Sequence, residues 1–438
     1  MTVSAEPRSR SLGALLEQRP GLLTLGLAVL VISAVLLPRS LAVSIFIAGL
    51  AIAAAAPQAL PGVVQRPWPL PVRAAAGVGA YLVASLLWSA APLEGAGKIA
   101  ILAGLVGVLA IAAAVFAAAP ERILRAIALG AIAGLAIGLT IVAADELSGH
   151  GLRRALYALL PFTRPPAKHV PVVNGEIDSV GAWLSNRSMA MITLVLWPAL
   201  GLLAAVRGVR RVWPLAAVLA AIAALTIFRS QHETSMLALL IGAAAFGLAW
   251  IAPRIGLAAI ATGWIVATLL VVPAASLAYR SELHLAGSMP YTAKQRIILW
   301  GFTAEQVPRR PLLGVGIAST KTLDDRRVPH ETLPGQVYAR RTGPHAHNIY
   351  LQTWYELGAI GALLLLALGA ALLRSIAAMP RGVQPFATAA FASAATTAAF
   401  TWSLWQAWFM AAFALAILLT VLMVAHARCG TDVSAGQP

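Results

Sequence analysis

The stretch GPHAHNIYLQTWYELGAIG, residues 343–361, concentrates polar side chains immediately before an apolar run. His345 and His347 lie two residues apart, and Asn348 and Tyr350 follow in the same short segment. An imidazole with its ordinary pKa of about 6.5 accepts a proton at neutral pH, so this segment could carry acid–base chemistry. The alternative is a group of polar residues that satisfy one another at a membrane interface. Taken alone, the segment leaves both interpretations open.

The composition indicates what must hold this segment in place. Of the 438 residues, 60% are hydrophobic and 11% are charged, and the mean hydropathy is +0.82. These values lie outside the range of soluble globular domains. Apolar runs of nearly twenty residues recur, and each can cross a hydrocarbon core about 30 Å thick as a helix. We therefore predict an all-α polytopic membrane protein that forms a single membrane domain over residues 1–438.

About twelve transmembrane helices are expected, one for each apolar run. The runs cover residues 21–37, 40–56, 73–90, 99–119, 123–144, 189–206, 212–228, 235–251, 255–278, 357–373, 385–402 and 407–426. The first run follows a basic leader with Arg8, Arg10 and Arg19, and we expect it to be a retained helix rather than a removed signal peptide. A single cysteine, Cys429, excludes an internal disulfide.

The distribution of basic residues predicts the orientation of the chain. With a cytoplasmic N-terminus, the cytoplasmic segments hold fourteen basic residues and the four short opposite loops hold three. Both termini are then cytoplasmic. Two long segments, 145–188 and 279–356, lie on the opposite side and hold the remaining fifteen. Their charge suits either a solvated surface or a basin for an anionic substrate, and nucleic acid is not an expected partner on that face.

The long segments contain elements of their own. GLRRALYALLPF at 151–162 predicts a short amphipathic helix at the interface, and the residues from 164 to 181 have turn chemistry. TAKQRIILWGFTAEQV at 292–307 predicts a helix that lies on the membrane or on the bundle. RRPLLGVGIAS at 309–319 predicts a tight turn with close backbone approach. The proline-rich connection 57–71 predicts a stiff extended linker.

Several segments together resemble the O-antigen ligase family. His347 and Asn348, nine further residues, Gly358, two residues and Gly361 match its H-[NSQ]-x9-G-x-x-[GTY] signature. LLWSAAPLEGAGK at 86–98, LSNRSMAMITLVLWPAL at 184–200 and RSQHETSMLALLIG at 229–242 are similar to other family segments, as are the R-x-x-x-W and P-L-x-G-x-G elements before the signature histidine. His232 and Glu233 stand where small polar residues are common in the family, and no role is transferred to them.

The resemblance implies a membrane-embedded glycosyltransferase of the C type. Such a protein moves a glycan from undecaprenyl diphosphate to an acceptor on the periplasmic side of the bacterial inner membrane. The acceptor is a lipid A–core sugar for a ligase, which we favour, or a growing repeat unit for a polymerase. The family reaction inverts the anomeric carbon and uses no metal or other cofactor. A glycan flippase or transporter is the non-enzyme alternative, although charged groups here collect at the ends of the spans.

This chemistry selects candidate residues. Negative charge grows on the departing diphosphate, and arginine pairs with phosphate oxygens through a planar fork that stays protonated. Arg187 and Arg296 are the candidates, with Arg229 as a weaker third; snorkelling at a helix end is the alternative for each. His347 is the candidate general base, or a residue that only positions the acceptor.

Other polar residues are expected to contact substrate or to support the fold. Asn348, His345, Tyr350 and Trp300 are candidate substrate contacts. Gly358 and Gly361 are expected to permit close helix packing in the membrane. Two minor expectations complete the set: that Glu356 orients the histidine, and that the adjacent acids Asp324 and Asp325 form a solvated turn rather than a metal site.

Overall fold

The computed structural model describes residues 19–65, 68–174, 176–207, 209–326, 332 and 336–435. Arg8, Arg10, Arg66 and Arg327, which entered the charge pattern, lie outside these residues. The described helices are α1 Pro20–Leu36, α2 Leu41–Ala55, α3 Pro61–Gln65, α4 Leu70–Ser85, α5 Pro92–Ala118, α6 Glu121–Leu147, α7 Gly151–Leu159, α8 Asn186–Arg207, α9 Val209–Ser230, α10 Glu233–Ile251, α11 Pro253–Arg280, α12 Tyr291–Gln306, α13 Ser319–Asp325, α14 Ile349–Ala377, α15 Gln384–Phe400 and α16 Ala407–Ala435.

The all-α polytopic prediction is confirmed. Each of the twelve predicted apolar runs coincides with a helix, and ten helices in the described residues are long and apolar enough to cross a membrane. Two of these ten are long enough only together with an adjoining helical turn: Pro38–Ser40 precedes α2, and Leu86–Trp88 follows α4. The two exceptions, α1 and α15, have 17 residues each. Among the described residues, strand is confined to one antiparallel pair of two-residue strands, β1 Val172–Val173 and β2 Glu176–Ile177, within the predicted turn region of the first long segment.

Contacts within the described chain divide it into two compact units. The first comprises the described residues within 1–67, 107–229 and 414–438. Its α1 and α6 pack closely because Gly130 and Gly134 on α6 face the backbone of α1, where a Cβ atom would overlap Thr24 and Ala28. Thr24 Oγ1 also donates to the carbonyl of Ala126 at 2.9 Å. Small residues spaced four apart are the usual means of bringing membrane helices together.

The second unit comprises residues 68–106 and 230–413 and holds most of the candidate site. Within it α10 packs on α15, and Ser393 Oγ donates to the carbonyl of Ala238 at 2.9 Å. Helix α11 packs on α14, where Trp354 Nε1 donates to the carbonyl of Thr268 at 2.7 Å. Helix α12 packs on both α11 and α14. The helix predicted over 292–307 therefore exists and lies on the bundle.

Two smaller predictions meet different outcomes. Helix α7 forms where the amphipathic pattern predicted it, with Leu152, Leu156 and Leu159 exposed. The extended linker predicted over residues 57–71 is wrong for residues 57–65, whereas Pro69 is extended, with φ −56° and ψ 152°. Pro57–Ala59 and Pro61–Gln65 are helical turns instead, because each proline occupies the first position of its turn, where no N–H group is required.

Candidate functional site

The segment that carries the histidines ends at the first turn of α14. Asn348 is the N-cap of α14, and its Oδ1 atom accepts a hydrogen bond from the backbone N–H of Leu351 at 3.0 Å. This contact stabilises the helix start and engages the side-chain oxygen of Asn348, which was a candidate substrate contact. His347 adopts the left-handed backbone region with φ +52°, which is uncommon for a residue with a side chain. Such backbone geometry is held only where surrounding contacts determine it.

Asp324 makes several of the contacts that hold the histidine segment. Its carboxylate accepts hydrogen bonds from Arg341 Nε at 2.9 Å, from Thr342 Oγ1 at 3.1 Å and from the backbone N–H of Gly343 at 3.0 Å. Asp324 is 4% exposed, so the interpretation of its segment as a solvated turn is wrong for this residue. Its neighbour Asp325 is exposed, as that interpretation predicted.

One face of α12 contacts the histidine segment. Arg296 and Trp300 are four residues apart and therefore share a helix face, together with Thr292 one turn earlier. Trp300 Nε1 donates to the carbonyl of Ala346 at 2.6 Å, between the two histidines. The indole N–H of Trp300, a candidate substrate contact, is thus engaged in holding the loop.

Arg296 is the cation of this face. It is partly buried, and its charge lowers the pKa of both His232 and His347. Burial lowers the pKa of Arg296 itself, and Glu233 acts in the opposite direction. The described residues supply no carboxylate within 4 Å of its guanidinium and no hydrogen bond to it. A guanidinium in this state has its whole fork available for phosphate oxygens.

His345 and His347 lie against each other, with ring centroids 4.1 Å apart. Burial lowers the pKa of His345 to about 4. Burial, then His345 and Arg296, lower the pKa of His347 to about 3, while a hydrogen bond to the backbone of Thr401 acts in the opposite direction. Both rings are therefore neutral at pH 7. In a neutral imidazole one nitrogen donates and the other keeps a lone pair, which is the form a general base requires.

Two residues to which the sequence gave no role stand at the same face. Glu233 Oε2 accepts a hydrogen bond from Thr292 Oγ1 at 3.3 Å. His232 is 8% exposed, its Nδ1 lies 2.7 Å from Ser235 Oγ, and its ring stacks near Trp402 at 6.0 Å. Burial, followed by Arg296, lowers the pKa of His232 to about 4. The signal that could have identified them was their departure from the small polar residues usual in the family.

Gly358, in the signature, does not act as a helix-packing residue. It has φ +65° and interrupts α14, and a Cβ atom there would overlap the carbonyl of Leu312. The expectation of close packing between membrane helices is wrong for Gly358, because its neighbour is the turn of the P-L-x-G-x-G element. At Gly361 the nearest atoms belong to Leu357 of the same helix, and the expectation of close helix packing stays a prediction for this residue.

The turn repairs the interrupted helix. The N–H groups of Val315 and Gly316 donate to the carbonyls of Tyr355 at 3.1 Å and Glu356 at 2.8 Å. In the other direction, the N–H group of Ala359 donates to the carbonyl of Pro311 at 2.8 Å. Backbone groups freed by a break in a membrane helix need such partners. The close backbone approach predicted for this turn is confirmed.

Glu356 anchors the segment after the turn rather than a histidine. It is 1% exposed, and its carboxylate accepts hydrogen bonds from the N–H groups of Ala318 at 3.2 Å and Thr320 at 3.1 Å. Trp405 Nε1 also donates to it. These partners occupy the carboxylate, so the expectation that Glu356 orients the histidine is wrong.

Three candidates remain, Tyr350, Arg187 and Arg229. Tyr350 is 2% exposed and its hydroxyl donates to the carbonyl of Ala395 at 3.1 Å. Arg187 is the second residue of α8, and Arg229 is exposed in the last turn of α9; both belong to the first unit. The structure thus brings Arg296, Trp300, His345, His347 and Asn348 together within the second unit.

A group of potential metal ligands lies in the first unit. Among the described residues, Asp145, Glu146 and His150 place ligand atoms within 4.8 Å of one another. Arg153 Nε lies 3.0 Å from Asp145 Oδ2, and the backbone N–H group of Arg153 donates to Asp145 Oδ1 at 2.9 Å. A guanidinium already neutralises this carboxylate.

Comparison with known proteins agrees with the resemblance seen in the sequence. Residues 217–366 match the model of the O-antigen ligase family. The chain is 28% identical over 273 residues to a protein of Rickettsia felis that carries the provisional name polysaccharide ligase, and the match covers 61% of this chain and 65% of that protein. A Rickettsia conorii protein with the same provisional name is 28% identical over 148 residues, 33% of this chain and 34% of its own length. The resemblance to the O-antigen ligase family is confirmed.

Proposed function

We propose, from the premise that residues 217–366 carry an O-antigen ligase domain, that this protein transfers a glycan from undecaprenyl diphosphate to a saccharide acceptor. The acceptor we favour is the lipid A–core, reached at the periplasmic side of the bacterial inner membrane, with both termini of the chain cytoplasmic. The observation that carries the proposal is the electrostatic coupling, in a membrane protein, between the neutral ring of His347 and the guanidinium of Arg296, which has no carboxylate of the described residues within 4 Å.

The proposed reaction is a single displacement. The acceptor hydroxyl attacks the anomeric carbon, the bond from that carbon to the phosphate oxygen breaks, and undecaprenyl diphosphate leaves with the bonding electrons. The hydroxyl proton passes to the free ring nitrogen of His347. The resemblance implies inversion and no metal, and Arg296 supplies a fixed positive charge where negative charge grows on the leaving diphosphate.

The low pKa of His347 is compatible with this role. Burial and then His345 lower the pKa of His347 most, Arg296 lowers it further, and a bound diphosphate would offset the contribution of Arg296. The pKa of His347 therefore rises when the donor binds, so the ring becomes a better base in the complex that needs one.

The proposal is tested with the purified full chain in detergent micelles. A radiolabelled glycan on undecaprenyl diphosphate is mixed with lipid A–core, and label on the acceptor is measured. We expect transfer by the wild type and about a 100-fold loss in Arg296→Ala, the scale for removing one preorganised charge donor. Arg280→Ala, at the exposed end of α11, is the matched control and retains transfer. Because no closed vesicle is present, a flippase would move no label to the acceptor, and that result would contradict the proposal.

Deletion of the gene separates ligase from polymerase. A ligase deletion leaves lipid A–core without polymer while carrier-linked polymer accumulates. A polymerase deletion leaves single repeat units on the core, and this result would replace ligation with polymerisation at the same site.

A further inference from the structure

A cavity of about 260 Å³ lies beside the C-terminal end of α12, within the second unit. Its lining includes Trp88, Gln306, Arg309, Arg310, Val315 and Tyr355. None of these side chains takes part in the proposed displacement. The set combines two cations, an amide and two aromatic rings.

The two arginines give the cavity its charge. Arg309 and Arg310 are both exposed, and the described chain places no carboxylate within 4 Å of either guanidinium. Paired forks of this kind bind phosphate or carboxylate oxygens. The rings of Trp88 and Tyr355 offer apolar faces, and the Gln306 amide can donate and accept hydrogen bonds. Together these groups suit a sugar that carries an anionic substituent.

The walls of the cavity are fixed by hydrogen bonds. Trp88 Nε1 donates to the carbonyl of Leu313 at 3.3 Å, and Ser89 Oγ donates to the carbonyl of Ile317 at 2.7 Å. The N–H group of Val315 donates to the carbonyl of Tyr355 at 3.1 Å. A site that is formed before its ligand arrives loses less entropy on binding.

The cavity is separate from the reaction site but lies along the same helix. Gln306 follows Arg296 by ten residues on α12, which corresponds to about 15 Å of helix length. A single sugar cannot contact both places, whereas an extended saccharide can. The cavity is thus placed to hold a unit of the substrate that does not react.

We propose that this cavity binds an anionic sugar unit, phosphorylated or carboxylated, of a saccharide whose reacting end lies at His347. The inference rests on the proposed function. The unit belongs either to the acceptor or to the glycan of the donor, since both present the same chemistry to Arg309 and Arg310.

Binding is measured first, independently of transfer. Glucose 6-phosphate and glucose are titrated into the purified full chain by calorimetry, with the Arg309→Gln/Arg310→Gln double variant and Arg326→Gln as matched control. Arg326 is exposed and does not line the cavity. We expect wild type and Arg326→Gln to bind the phosphate at least tenfold more tightly than glucose, and the double variant to lose that preference. Equal preference in the double variant overturns the proposal.

Initial rates of transfer then assign the source. If the Arg309→Gln/Arg310→Gln double variant shows a several-fold rise in KM for the acceptor alone, relative to the wild type, the anionic unit belongs to the acceptor. A rise in KM for the donor alone places the unit on the donor glycan. Unchanged KM for both substrates overturns the substrate role. If the wild type transfers no glycan but still prefers the sugar phosphate, the proposed function fails while the cavity remains an anionic sugar site.

Discussion

The histidine and arginine of the second unit depend on each other electrostatically. Arg296 lowers the pKa of His347 and so helps to keep its ring neutral. Because the ring is neutral, Arg296 has no second positive charge from His347 beside it. Glu233, which contacts Thr292 one turn before Arg296, partly offsets the charge of that arginine. An anionic donor therefore meets a site whose balance of charge changes as it binds.

We expect this balance to appear in the pH dependence of transfer. The pKa of His347 in the free protein is lowered to about 3, so the base is unprotonated across the range from pH 5 to 8. The acidic limb of kcat/KM, which reports the free enzyme, should lie below pH 5, and the limb of kcat should lie at higher pH because the bound diphosphate offsets Arg296. Rates measured between pH 4 and 8 test this. A kcat/KM limb near the ordinary histidine value that disappears in His347→Gln would contradict it.

The site depends on an interruption in helix α14. The break in α14 at Gly358 receives the turn 311–316, and that turn leads directly to α13 and Asp324. Asp324 in turn holds the segment that carries His345 and His347. Gly358 therefore affects the position of His347 indirectly, through the turn 311–316 and Asp324, rather than by direct contact.

Gly358→Ala should destabilise the protein. The substitution forces a side chain into the left-handed region and into the carbonyl of Leu312, so we expect a loss of about 2 kcal/mol or more in the free energy of unfolding. Gly79→Ala is the control, because nothing lies within 4 Å of its added Cβ atom and alanine favours helix. Thermal unfolding in detergent compares the two. Equal unfolding temperatures would argue against the structural role of Gly358.

Asp324→Asn tests the contact that holds the histidine segment. Loss of the carboxylate weakens the bonds to Arg341, Thr342 and Gly343, so amide hydrogen exchange over residues 341–347 should accelerate at least tenfold and transfer should fall. The exposed neighbour gives the control, since Asp325→Asn removes the same charge without those bonds. Similar exchange in both variants would show that the segment is held by other contacts.

The helices could be predicted because length and hydropathy alone define a span, and the histidine, arginine and tryptophan of the second unit could be selected from their motif spacing. The pairing of Asp324 with Arg341 could not be predicted, because the two residues are 17 positions apart in the sequence. An acidic pair followed by arginines is equally compatible with a solvated turn. The conformation of Gly358 could not be predicted for a similar reason. Small residues in a membrane helix usually indicate helix packing, and the left-handed backbone of Gly358 is evident only from the structure.

Transfer to lipid A–core requires the second long segment to face the periplasm. We expect Asp325→Cys, in a Cys429→Ser background, to react with a membrane-impermeant thiol reagent on intact spheroplasts. Arg254→Cys, at the opposite end of α11 from that segment, should react only after permeabilisation. Both positions are exposed, so accessibility within the protein does not separate them. The reverse labelling pattern would place the site in the cytosol, where the proposed acceptor is not available.

The single-turnover rate of glycan transfer by His347→Gln in the purified system tests whether His347 is the base. Glutamine retains hydrogen-bonding capacity but cannot accept the proton at neutral pH. If His347 is the base, the rate falls by about 100-fold or more while donor affinity and thermal unfolding stay close to those of the wild type. Transfer at the wild-type rate would contradict the assignment of His347 as the base.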